Sequence, residues 1–205
     1  MIYHSDPHDW TNPVAVIWWC SAEKNGGCKM TMRTDVGTAG VATNQWIKHG
    51  FLGGILGGLA IAAFDMVSAA VLMGLQAFFG PLREISGIVL GQQALEPTYP
   101  LLTAALIGVL THMTLSIIYG ITFAGVVAAV PQLRGSSMTL VIAASLFGLA
   151  LWLVNFYLIA PVAGWTWFAM ANPVVQFIAH TFFYGTVLGI YLDRIGFAAP
   201  RPTAA

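Results

Sequence analysis

Four uninterrupted apolar stretches constrain this chain more than any other feature. They run from about Gly50 to Phe79, from about Pro100 to Val130, from about Met138 to Ala160 and from about Pro173 to Tyr191. Crossing a hydrocarbon core takes roughly 20 helical residues, and each stretch is long enough. The runs far exceed strand length, and an open sheet would leave its edges unsatisfied in lipid, so they predict helices. Pro81, Pro97, Pro100, Pro131, Pro161 and Pro173 mark their limits.

Composition agrees with a lipid-facing surface. Charged residues make up 8% of the 205, against about a quarter in a soluble domain. The predicted fold class is therefore all-α, a polytopic membrane protein with four transmembrane helices. The formal net charge is zero, so no charge excess exists to attract nucleic acid.

The expected organisation is a loosely ordered or surface-lying cytoplasmic tail over residues 1–45, a four-helix bundle over 46–195 and a cytoplasmic C-terminal tail over 196–205. Asp6, Pro7, Asn12, Pro13, Gly26 and Gly27 interrupt regular structure in the first tail. Its apolar run Val14 to Cys20 is too short for a signal peptide and has no basic residue ahead of it. Met30 and Met32 are alternative starts. Cys20 and Cys28 stand at a C-x7-C spacing that matches no common zinc or redox motif, and they read as unpaired thiols. Between the first two spans, Pro81–Glu96 is moderately amphipathic and predicts a short helix at the interface. Between the last two, Trp165 and Trp167 suit the membrane–water boundary.

Orientation follows from the basic residues. Lys24, Lys29, Arg33 and Lys48 precede or open the first span, Arg134 lies in the second loop, and Arg194 and Arg201 lie at the C-terminal end. Only Arg83 falls on the other side. The positive-inside rule then puts both termini in the cytoplasm.

The four spans also resemble one another in pairs. Gly58-Leu-Ala-Ile-Ala-Ala-Phe-Asp65 in the first matches Gly148-Leu-Ala-Leu-Trp-Leu-Val-Asn155 in the third. His112 is followed by Tyr119-Gly120, and His180 by Tyr184-Gly185. The reading is a duplicated helical hairpin whose copies both enter from the same side, a parallel repeat.

Few residues in these spans carry chemistry. Asp65 is the acidic residue inside the predicted spans, and burying its charge in lipid costs at least a few kcal/mol. It is either turned into the bundle or protonated. Asn155, its counterpart, cannot titrate. His112 and Ser116 share one face of the second span with Gly108 and Gly120, and His180 lies beside Tyr184 in the fourth. The two polar faces are expected to meet inside the bundle as a proton path, a binding site or interhelical hydrogen bonds. Bis-imidazole ligation of a b-type haem by His112 and His180 is a further alternative. Counted from the outer ends, however, the two lie at different depths, about 18 Å and about 12 Å. No cofactor or metal is predicted beyond that alternative. Gly50, Gly53, Gly54, Gly57 and Gly58 hold overlapping G-x-x-x-G pairs, and Gly185 and Gly189 join them as helix-packing positions.

The segments GVLTHMTLSIIYGITF, Gly108 to Phe123, and QFIAHTFFYG, Gln176 to Gly185, resemble the uncharacterised YagU-like family of bacterial inner-membrane proteins. The resemblance covers roughly the last hundred residues. It implies a bacterial inner membrane and transfers no chemistry. No nucleophile elbow, zinc-protease motif or phosphate loop is present in the sequence, and no long loop offers walls for an active site. The first expectation is thus a non-enzymatic accessory or structural subunit, in contact with lipid and with other membrane subunits or its own copies. The alternative is a proton, ion or small-solute transport bundle using Asp65, His112 and His180.

Overall fold

A computed structural model describes residues 15–22, 28–35 and 45–197. The chain divides into two units, Met1–Gly40 and Val41–Ala205, taken separately below.

The first unit contains a two-stranded antiparallel sheet. Strand β1 (Ala15–Ala22) pairs with β2 (Cys28–Asp35), with Ala15 opposite Asp35 and Ala22 opposite Cys28. This is regular structure where the sequence reading expects a loosely ordered tail. The reason is legible afterwards. Val16-Ile17-Trp18-Trp19 is β-branched and aromatic, and Asn25-Gly26-Gly27 between the strands is a hairpin signal as well as a helix breaker. The side chains of Cys20 and Cys28, together with His4 and His8, lie outside the described residues. So does the C-terminal tail from residue 198 onward.

The second unit is helical. Four helices are long and apolar enough to cross a membrane: α1 (Trp46–Met73), α3 (Leu101–Ala129), α4 (Ser137–Ala163) and α5 (Pro173–Arg194). A short helix, α2 (Gly80–Leu90), lies between the first two, and a single-turn helix (Thr166–Met170) between the last two. Apolar side chains such as Leu102, Met138 and Val162 are exposed around the bundle, as a lipid-facing surface requires.

Glycines set the helix pairs. A Cβ on Gly54 of α1 would stand 2.5 Å from the Ser116 carbonyl oxygen and 2.7 Å from Ile117 Cα of α3, so only glycine lets the two backbones approach this closely. Gly120 faces the backbone of Gly50 and Gly54 in return. On the other pair, Gly148 of α4 abuts the His180 carbonyl of α5, while Gly185 and Gly189 abut Ala144. A Cβ on Gly57 would stand 3.0 Å from the Tyr184 ring, so the glycine lets that ring of α5 pack against α1. A core of Phe123, Val127, Leu140, Leu188 and Leu192 fills the end where α1 begins and α5 finishes.

The helix limits differ from the sequence reading in three places. The first helix starts at Trp46 and ends at Gly74, whose φ of 96° stops it. It therefore includes His49, which meets the Tyr191 hydroxyl at 3.3 Å. The fourth span extends to Arg194 and takes in Asp193, so Asp65 is not the sole acid within the described spans. The third span continues through Pro161 to Ala163, where Gly164 at φ 74° ends it. A π-helical turn at Asn155–Ile159 precedes that proline. Its wider ring gives the pyrrolidine room against the preceding turn, so the helix continues through Pro161 and does not stop there.

Candidate functional site

The end of the bundle that carries α2 and the Thr166–Met170 turn holds a cavity of about 290 Å³. Asp65, His112, Ser116, Asn155, His180 and Tyr184 all line it. The sequence separates these six by up to 119 positions (from 65 to 184), and the fold brings them to one place. They come from every span, two from α3 and two from α5.

The polar groups are held individually. Asp65 is 8% exposed, and its Oδ1 accepts from Gln176 Nε2 of α5 at 3.3 Å. Asn155 Oδ1 accepts from the Tyr119 hydroxyl of α3 at 3.0 Å. Asp65 of α1 thus receives its hydrogen bond from α5, and Asn155 of α4 receives its own from α3. The Tyr184 hydroxyl donates to the Ser116 carbonyl at 2.6 Å, a third link between the hairpins.

Both histidines are oriented by backbone carbonyls. His112 Nε2 lies 2.9 Å from the Gly58 oxygen, and His180 Nδ1 lies 3.0 Å from the Gln176 oxygen. A carbonyl only accepts, so the hydrogen-bond network assigns the proton to Nε2 of His112 and to Nδ1 of His180. The other nitrogen of each neutral ring is then an acceptor. His180 lies within a π-helical stretch, Ala179–Thr186, and Asn155 opens the π-turn of α4. Both irregular turns therefore border the cavity, a placement such turns often have at functional sites. Among the described residues, no group of three or more His, Cys, Asp or Glu converges as a metal site.

Sequence reasoning missed Glu84, Gln176 and Tyr119, and it expected no loop to build walls. The structure corrects this. Short α2 supplies a wall through Pro81, Glu84, Ile85 and Ile88, and the connection between α4 and α5 adds Trp165 and Phe168. The two connections are tied together, since Trp167 Nε1 donates to the Glu84 backbone oxygen at 3.0 Å. Trp167, read as a boundary residue, is buried under α2 at Gly87. A signal for Glu84 existed. Residues 81, 84, 85 and 88 follow the i, i+3, i+4, i+7 pattern of one helical face, with an acid on an otherwise apolar stripe.

Arg83, the neighbouring residue, is directed away from the cavity. Its guanidinium donates to the carbonyls of Ala94 and Glu96, each at 3.0 Å, and of Tyr99 at 3.2 Å. Among the described residues, Glu84 has no such partner, and burial pushes its carboxyl up to about 7. Removing an ionised carboxylate from water is costly, which favours the neutral form. The site can therefore exchange a proton near neutral pH at a position outside the spans.

Comparison of the chain with protein-family models, with curated proteins and with solved structures finds no match. The site is the basis for function here.

Proposed function

We propose that the protein is a small membrane transporter or proton-conducting bundle that admits a solute, with protons, into this cavity from the α2 side. One observation carries the reading: the titratable and hydrogen-bonding side chains of all four spans line a single cavity together with Glu84 of α2. Scattered polar groups acting only as packing links would have no reason to share one cavity. The accessory-subunit expectation rested in part on the lack of loops to wall a site, and two short connections do line this cavity. A chain of Asp, Glu, His and Tyr within a bundle is the composition of a proton relay.

We place both termini in the cytoplasm from the bias of Lys and Arg, which puts the α2 end of the cavity on the opposite face. The resemblance to YagU-like proteins supports a bacterial inner membrane. We read the two hairpins as a parallel repeat. Supporting this, Gly58 and Gly148 each sit against the partner helix of their own hairpin, and Asp65 and Asn155 each take a bond from the other.

The test is flux in reconstituted vesicles carrying a pH-sensitive dye. The wild-type protein is expected to dissipate an imposed pH gradient faster than empty vesicles, and Asp65→Asn to slow this by about tenfold or more. Unchanged flux in Asp65→Asn would sink the reading.

A further inference from the structure

The lining of the cavity has one sign of charge. Among the described residues, Asp65 and Glu84 are its acids, and no Lys or Arg lines it. Arg83, the nearest basic residue in the sequence, is committed to three backbone carbonyls of the following turn. Among the described residues, no donor is bonded to the second oxygen of Asp65 or to the side chain of Glu84. Two carboxylates buried together without a counter-charge are expensive unless they are protonated or a cation joins them.

The rest of the wall is apolar and aromatic. Phe156, Trp165 and Phe168 line the cavity beside Tyr119 and Tyr184. Aromatic faces attract cations that are poorly hydrated, above all quaternary ammonium groups. Among the described residues, no three of His, Cys, Asp or Glu converge here as they would around a metal ion. The volume of about 290 Å³ lies near the lower end of small-molecule sites.

We propose that the cavity binds a small organic cation, an amine or quaternary ammonium bearing apolar substituents, with its charge between Asp65 and Glu84 and its apolar part against Phe156, Trp165 and Phe168. This rests on reading the cavity as a solute site and names the class of solute. Binding then competes with protonation. The titratable groups that line the cavity with Glu84 are Asp65 on α1, His112 and Tyr119 on α3, and His180 and Tyr184 on α5. Glu84 gains its charge as pH rises through about 7, so the cation binds more tightly above that pH.

Equilibrium dialysis of the full chain in detergent tests this with three probes of similar shape: benzyltrimethylammonium, benzyl alcohol and benzoate. The cation is expected to bind saturably and more tightly than either other probe by about tenfold or more. Its affinity should rise several-fold between about pH 6 and about pH 8. Glu84→Gln should weaken it about tenfold and flatten the pH dependence. Asp65→Asn should also weaken it, and Glu84→Gln decides the case if that span variant fails to run as a single species on size exclusion. Equal or tighter binding of benzyl alcohol or benzoate overturns the cation proposal, while loss of that binding in Asp65→Asn keeps the cavity as a solute site. Saturable cation binding that survives both substitutions overturns the proposal by placing the site elsewhere. Absence of cation binding alongside Asp65-dependent proton flux overturns the proposal and leaves the proton path standing.

Discussion

At the residue scale, the energetics concentrate on glycines and on Glu84. Gly54 has no space for a methyl group, because the neighbouring atoms are α3 backbone and cannot rotate away. Gly54→Ala is expected to separate α1 from α3 and to lower stability in detergent by about 1–3 kcal/mol, the usual range for overpacking. Thermal unfolding followed by circular dichroism measures it. A substitution at Gly80, where no atom lies within 4 Å of a new Cβ, should do far less. Glu84 contributes a pH dependence of definite sign. Its folded pKa, about 7, lies above its ordinary value of 4.5. The folded state thus binds the proton more tightly than the unfolded state does. Stability from this group is complete below about pH 4.5 and is lost as pH rises through about 7. Glu84→Gln should remove that part of the decline, read as the difference in melting temperature between the two pH limits.

At the element scale, short α2 decides whether the bundle has a site at all. It is held at Gly108, where the α3 backbone lies against the Leu82 carbonyl, and at Gly87, where the Trp167 ring packs. Arg83 then fastens the turn that leads into α3. Arg83→Ala is expected to leave the four long helices intact while raising hydrogen exchange across residues 91–100, because three carbonyls lose a charged donor. Equal exchange in both proteins would show that the clamp is not needed. The four long helices were legible in the sequence because length and hydropathy alone define a span. The face Gly108, His112, Ser116, Gly120 was legible too, from its i, i+4 spacing. The wall residue Glu84 left a weaker trace, an acid on the apolar face of a short connection, and that trace gains its meaning only once α2 is packed. The π-turns were hidden for a similar reason. The sequence shows Pro161, but whether a proline ends a helix or is absorbed by a wider turn depends on what surrounds it. Gln176 sits near a helix start and shows its role only when α5 meets α1 at Asp65.

At the scale of the whole molecule, the bundle has a closed end and a polar end. The apolar core fills the end where α1 begins, and the polar cavity occupies the end capped by α2 and the Trp165–Phe168 segment. The Tyr184 hydroxyl bonds the Ser116 backbone carbonyl across the two helix pairs. On the proposed transport reading, a solute or proton that enters from the α2 side has to pass this link to cross the membrane. Tyr184→Phe removes the bond and is expected to raise the basal proton leak, measured in the dye-loaded vesicles, with little change in span packing.

The central claim is that the route through the protein passes this cavity, and Ser116 offers the most direct test of it. Cys20 and Cys28 are first replaced by serine, and Ser116→Cys is introduced on that background. Flux is then measured in vesicles before and after complete reaction with a small methanethiosulfonate reagent. The account predicts that modification at position 116 blocks flux, while modification of Leu110→Cys on the exposed side of α3 leaves it unchanged. Full flux through protein modified stoichiometrically at position 116 would contradict it.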